Sequence, residues 1–257
     1  METADLNACA DLVRRADPDR FMAAMAAPVA ARRVLFPIYA FNVEVARAPW
    51  VTQESMIAEM RLQWWRDALD EIRAGGKVRR HEVVTPLAEV LDADGAELLD
   101  QLVAARRWDI YRDPFEDAAH FHDYLDKTAG HLMLAAGRAL GTPPEDVLRD
   151  AGFAQGLANW MRAIPALEQS GRIPLPDGRP EAVGALAAEG LRRLARARAA
   201  RSGVPRDVRP ALLPAWQSGM ILRRTRKVPA RVAAGEVSPA PILSRAVLMA
   251  RALSGRW

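Results

Sequence analysis

RRVLFPIYAFNVEVARAPW, residues 32–50, and GFAQGLANWMRAIPALEQSGRIPLP, residues 152–176, are the stretches whose reading decides the fold. Apolar residues recur in both without the strict alternation of a strand, so both read as helices. Pro28 opens the first helix, and Pro37, which cannot donate a ladder bond, predicts a kink or boundary just before Tyr39. A proline-punctuated loop, 172–180, closes the second. Carboxylates at i, i+3 and i+4 share one helix face, and two such faces can grip a divalent ion between helices. Glu44 and Glu168 are the acids of these stretches, and neither belongs to such a cluster.

Outward from these segments the helical pattern continues. Residues 55–73 carry Met56, Met60 and Trp64 on one row and Ile57, Leu62, Trp65, Leu69 and Ile72 on another before Gly75 and Gly76 stop the helix. Asp17 as cap and Pro18 in the first turn open a helix over 17–26, after one over 5–15. Further helices are expected at 83–91, 95–111, 115–140, 144–169, 180–201, 209–226 and 239–253. Ala, Leu, Arg and Glu fill these stretches while β-branched and aromatic residues are sparse, so the expected fold class is all-α. A 257-residue chain that is 50% hydrophobic has ample core, and we read one domain over 1–257, with 180–257 as its C-terminal helices.

Composition excludes several function classes. No uninterrupted apolar run reaches the roughly 18 residues that span a bilayer, and the N-terminal stretch lacks an apolar signal core and is too acidic for a transit peptide. The expected compartment is therefore the cytoplasm, with peripheral contact at the inner membrane. The lone Cys9 cannot form an intramolecular disulfide. The net charge of +4 comes from arginine, with only Lys77, Lys127 and Lys227 as lysines. The arginine runs at 191–202 and 222–227 suit an anionic lipid or acidic surface, or a solvated helix face. They lack the interleaved aromatics of a nucleic-acid platform, so no nucleic-acid partner is expected.

His120, His122, Asp123, Asp126 and His131 offer metal-type ligands, but His120 and His122 point about 200° apart on a helix, which argues for capping and surface roles. Trp64, Trp65, Trp108 and Trp216 read as core, while Trp160 beside Asn159 reads as a pocket residue.

RRVLFPIYAF together with GRIPLP at 171–176 resembles the squalene/phytoene synthase family, whose members join two prenyl diphosphates in an all-helical fold. The resemblance implies an isoprenoid-synthase-like bundle around a central pocket. In register, the family's first aspartate cluster falls on Ala46, Arg47 and Trp50, and its second on Ala163, Ala166 and Leu167. Asn159, Arg162, Gly171, Arg172, Leu175 and Pro176 match the family pattern, as do Tyr124, Ala129 and Gly130. The resemblance nominates Arg32, Tyr39, Phe41, Asn42, Glu44, Arg47, Tyr124, Gln155, Asn159, Trp160, Arg162 and Arg172 as pocket or anion-binding residues, with no catalytic residue and no metal ligand.

YAFNVEVA with MRLQWWRDAL is similar to a non-catalytic branch of this family that includes an assembly factor for respiratory complex I. That likeness implies a protein partner in respiratory-complex assembly and no cofactor. It leaves room for an isoprenoid or anionic lipid held by Arg47, Arg162 and Arg172 through guanidinium contacts. The alternative is an active prenyl-diphosphate transferase, with Mg²⁺ held by displaced acids among Glu44, Glu54, Glu59, Asp67 and Glu168.

Overall fold

The computed structural model describes residues 2–52 and 54–257, and among them every regular element is a helix. Asp17 separates α1 (Thr3–Ala16) from α2 (Pro18–Ala26); its carboxylate accepts the Arg20 amide as an N-cap, and Pro18 occupies a first-turn position that needs no N–H. Pro28 leads into α3 (Val29–Arg47), which tightens into a 3-10 turn, Ala48–Trp50. Next come α4 (Ser55–Arg73), α5 (Val84–Ala88), α6 (Ala93–Arg106) and α7 (Trp108–Tyr111). Asp117 caps α8 (Ala118–Leu125), which passes through a π-helical turn, Asp126–Gly130, into α9 (His131–Leu140). The chain ends with α10 (Glu145–Gln169), α11 (Pro180–Ala199), a 3-10 run (Arg209–Gln217), α12 (Ser218–Lys227) and α13 (Pro241–Ser254).

α10 is the axis of the bundle, packed against α9, the π turn, α11 and α12. One apolar cluster, around Leu35, Phe41, Leu69, Leu99 and Trp216, joins α1, α3, α4, α6 and α9. A second, around Phe121, Phe153, Leu157 and Leu222, joins α8, α10, α11 and α12, and a third seals one end around Leu134, Leu148 and Leu212. Burying each such side chain contributes about 1.5–3 kcal/mol, so these clusters carry the fold.

Two glycines set how closely α10 meets the π turn. A Cβ on Gly152 would lie 2.8 Å from the Gly130 Cα, and one on Gly156 would lie 2.5 Å from the Ala129 Cβ. The helices approach backbone to backbone at this point, which no larger residue permits.

Several expected boundaries move. Helix α3 continues through Pro37 without a boundary there, because Leu35, Phe36, Ile38 and Tyr39 on either side are all buried and their burial exceeds the roughly 3 kcal/mol an interior proline costs. The stretch expected as one helix at 95–111 is two, with Arg106 and Asp109 bonded across the joint at 3.1 Å. The helix expected from 115 starts at Ala118, since Phe115 is stacked on Trp108 with ring centroids 3.9 Å apart. The first half of 209–226 is 3-10 helix, where Pro210 and Pro214 withhold two amides.

Buried His131 is held neutral, its pKa lowered to about 4 by burial and then by Arg149. Because the folded pKa lies below the unfolded 6.5, the stabilisation is complete above pH 6.5 and is lost as pH falls from there toward 4. We predict that urea-unfolding free energy drops by up to roughly 3 kcal/mol across that window and that His131→Gln flattens the drop. Gly152→Ala should cost about 1–3 kcal/mol and lower the Tm, while Gly178→Ala, where an added Cβ meets nothing within 4 Å, should not.

Candidate functional site

A cavity of about 270 Å³ opens between α3, α8 and α10. Asn42 and Ala46 of α3, Trp50 of the following turn, Tyr124 and Leu125 of α8, and Thr128 and Ala129 of the π turn line it. From α10 come Gly156, Asn159, Trp160, Ala163 and Leu167. The i, i+4 spacing of Ala46 with Trp50, and of Ala163 with Leu167, turns each pair to the same side. The π turn widens the helix here, and the Thr128 hydroxyl donates to the Tyr124 carbonyl at 2.6 Å.

The polar groups of the cavity come from elsewhere in the chain. Arg20, 9% exposed, is held by Asp17 at 2.5 Å and donates to the Gln155 side chain at 3.4 Å. Arg106 donates to the Tyr124 hydroxyl at 2.8 Å and to Asp109, while Tyr124 donates to the Asp109 carboxylate at 2.9 Å. Burial opposes the charge on Arg106, yet Tyr124 and Asp109 outweigh it and raise its pKa. Burial raises Tyr124 well above the ordinary phenol range.

Arg172 closes the network behind Asp109. It donates to the Asp109 carbonyl, lies over the Trp50 ring at 4.7 Å and the Trp108 ring at 6.0 Å, and leaves its buried Nε and Nη1 without partners among the described residues. Burial lowers its pKa, Asp109 acts in the opposite sense, and Arg112 lowers it further. Arg172 and Trp50 also face a neighbouring cavity of about 320 Å³. The region therefore holds three guanidiniums and two carboxylates, Arg20 with Asp17 and Arg106 with Asp109 while Arg172 meets only the Asp109 carbonyl, under an aromatic roof in which Trp108, Phe115, Tyr124 and Trp160 pack edge to face or stacked.

Of the residues nominated from sequence, Asn42, Tyr124, Asn159 and Trp160 line the cavity, with the Trp160 indole N–H donating to the Pro174 carbonyl at 2.8 Å. Gln155 and Arg172 support it from behind. Tyr39 is buried beside Arg20, and Phe41 packs edge-on against Trp65 in the core. Arg32, Glu44, Arg47 and Arg162 lie outside the lining. Arg32 holds the Met25 and Ala27 carbonyls at the end of α2, Arg47 pairs with Glu44 at 3.2 Å, and Arg162 pairs with Asp19 at 2.6 Å. One step along a helix rotates a side chain by about 100°, which carries Arg47 away from the face of Ala46, and Arg162 from that of Ala163. Arg20, Arg106 and Asp109 were not singled out in the sequence; Arg20 lies inside the capped start of α2 and the other two inside ARRWD, which carries no motif.

Mg²⁺, which the fold would imply, needs hard oxygen ligands in near-octahedral array. Ala46, Trp50, Ala163 and Leu167 offer none, and Asp109 is already engaged by Arg106 and Tyr124. Among the described residues no three His, Cys, Asp or Glu side chains are placed to hold a metal. The residues present do not fit this ion. We predict that Asp109→Ala, which strands buried Arg106 and Tyr124, costs about 3–5 kcal/mol in urea unfolding, whereas Tyr124→Phe costs about 1–3 kcal/mol.

Comparison with known proteins agrees with this architecture. The family model for squalene/phytoene synthase matches residues 13–179. A dehydrosqualene synthase crystal structure superposes with a TM-score of 0.80 at 17% identity over 98% of this chain and 96% of that one. A squalene synthase from Alicyclobacillus acidocaldarius superposes with a TM-score of 0.69 at 19% identity over 87% and 93%. In sequence, the chain is 31% identical over 182 residues to the Drosophila melanogaster homolog of NADH dehydrogenase (ubiquinone) complex I assembly factor 6, covering 65% of this chain and 53% of that protein. It is 24% identical over 184 residues to the Bos taurus assembly factor 6, covering 65% and 52%. The chain thus spans about half the length of these relatives. With a family model matched over more than half its length and the same helical architecture, the chain belongs to the squalene/phytoene synthase family.

Proposed function

We propose that this chain is a member of its family that no longer ionises prenyl diphosphates and instead assists, through a protein partner, the assembly of a respiratory NADH:quinone oxidoreductase. One observation carries the loss of chemistry. The four cavity-facing positions at which the family register calls for aspartate are Ala46, Trp50, Ala163 and Leu167, a set without a single oxygen ligand. The assembly role rests on the relatives whose names carry it, the Drosophila melanogaster and Bos taurus proteins among them.

The cavity itself suits an isoprenoid or lipid with an anionic head. Its walls are aromatic and aliphatic, and Arg20, Arg106 and Arg172 supply the positive charge in place of Arg47 and Arg162. We place the protein at the cytoplasmic side of the inner membrane as a peripheral protein; no helix among the described residues is long and apolar enough to cross a bilayer.

The second reading, an active prenyl-diphosphate transferase with Mg²⁺ on displaced carboxylates, has weaker support. Glu44 is paired with Arg47, Glu59 binds Arg107 and Tyr111 at 2.9 and 2.8 Å, and Asp67 accepts from Gln63 at 2.7 Å. Glu168 lies by a different cavity, with Ile173 and Pro229.

In a strain lacking the gene, membrane NADH:quinone oxidoreductase activity should fall selectively against another respiratory dehydrogenase and recover when the gene is restored; unchanged activity would remove the assembly reading. With EDTA present, a prenyl diphosphate at a hundredfold excess over its Kd should stabilise the protein by about 2.7 kcal/mol. Arg172→Ala should abolish that Tm shift, and a wild-type protein without any shift would empty the cavity of this role.

A further inference from the structure

Most of the arginines up to Arg196 are neutralised among the described residues: Arg66, Arg79, Arg106, Arg138 and Arg196 each lie within 4 Å of a carboxylate. One end of the bundle breaks that pattern. Arg206, Arg209, Arg251 and Arg256 line a cavity of about 350 Å³ between α13, the 3-10 run and the α2–α3 junction, and none of them is ion-paired among the described residues. Arg198 and Arg223 lie beside them, and a Cβ on Gly219 would sit 3.3 Å from a guanidinium nitrogen of each. Arg198 donates its Nε–H to the Trp257 oxygen at 3.0 Å, yet its buried Nη2 has no partner among the described residues. Burial, then Arg251 and Arg223, lower its pKa to about 10, as expected where cations crowd.

The adjoining surface is apolar. Ile242, Met249 and Leu253 of α13 are 85%, 65% and 86% exposed. Their i, i+7, i+11 spacing puts them in one row along the helix. Leu253 also borders the arginine cavity, whose opposite side is Ala26 and Pro28, next to exposed Met25 and Val29. α13 itself buries only Ser244 and Leu248, so the row has no partner among the described residues.

We propose that this end of the molecule is a docking surface for an anionic phospholipid membrane, with a lipid phosphate held among Arg206, Arg209, Arg251 and Arg256 and the Ile242–Met249–Leu253 row dipping into the acyl boundary. Charge complementarity selects the occupant. Uncompensated guanidiniums take phosphate bidentately, and an aliphatic row beside them is the make-up of an interfacial helix. A free phosphate ion would account for the arginines and leave the row unexplained. The inference gives the peripheral membrane contact proposed above a surface, and rests on that part of the reading. It narrows the sequence expectation for 191–202, where Arg193 and Arg196 are engaged with Asp126 and Asp150 on the bundle itself and Arg198 lies beside the free arginines.

The test is co-sedimentation of the full chain with vesicles of phosphatidylcholine alone or mixed equimolar with phosphatidylglycerol. The wild type should pellet with the anionic vesicles only and be released by salt. Arg206→Gln and Arg256→Gln should each weaken partitioning about fivefold. Ile242→Asp with Leu253→Asp should also release the protein while leaving its Tm and circular dichroism unchanged. Equal binding to both vesicle types, binding to neither, or full retention by the arginine variants would overturn the surface. So would a Tm shift with inorganic phosphate alone, lost in Arg256→Gln, in a protein that ignores vesicles. A variant that leaves the vesicles yet restores NADH:quinone oxidoreductase activity would separate this surface from the assembly role, since the two are read in different assays.

Discussion

The contact between α10 and the π turn is the constraint on which the site depends. Gly152 and Gly156, one helical turn apart, let the π turn settle onto α10 at backbone distance. That approach brings Thr128 and Ala129 opposite Asn159, Trp160 and Ala163, and the cavity is the space left between them and α3. A side chain at either glycine would push the two helices apart and remake the cavity wall.

Once the helices are set, the interior is organised by charge. In a bundle core a lone guanidinium is costly, and a group of them is tolerated only with hydrogen-bonded counter-charges. Asp109 meets that requirement for Arg106 and Asp17 for Arg20, while Arg172 has only the neutral Asp109 carbonyl. What remains is a cavity with aromatic walls and a surplus of positive charge. The same chain leaves a second surplus of arginine at its far end, beside the exposed row of α13. Both concentrations of charge stand next to apolar surface, which suits amphiphilic anions better than nucleic acid.

Much of the architecture was legible because helix signals are local. Asp17–Pro18 and Gly75 placed their helix ends correctly, and the Leu62, Trp65, Leu69 and Ile72 row is the buried face of α4, whereas Ile57, Met56 and Met60 are exposed. The family register was legible in part: of the six positions it identified as lacking aspartate, Ala46, Trp50, Ala163 and Leu167 share one cavity, while Arg47 and Ala166 do not line it. Pro37 misled because its local cost is overridden by burial on both sides, and Arg47 and Arg162 misled because proximity in sequence to a pocket residue is about 100° away from it on a helix. Arg106 and Asp109 were invisible in ARRWD, since their meaning lies in Tyr124, fifteen residues beyond Asp109, and Arg172, 63 residues beyond it.

The sequence alone determined the all-helical class, most helix ends and the absence of paired acids from the two diagnostic stretches, because periodicity, caps and missing residue types are properties of neighbours along the chain. The tertiary structure decided which cations reach the cavity, which are consumed by ion pairs, and which are left free at the α13 end. Those outcomes depend on distances between residues far apart in sequence, and Coulomb and hydrogen-bond energies follow distance in space.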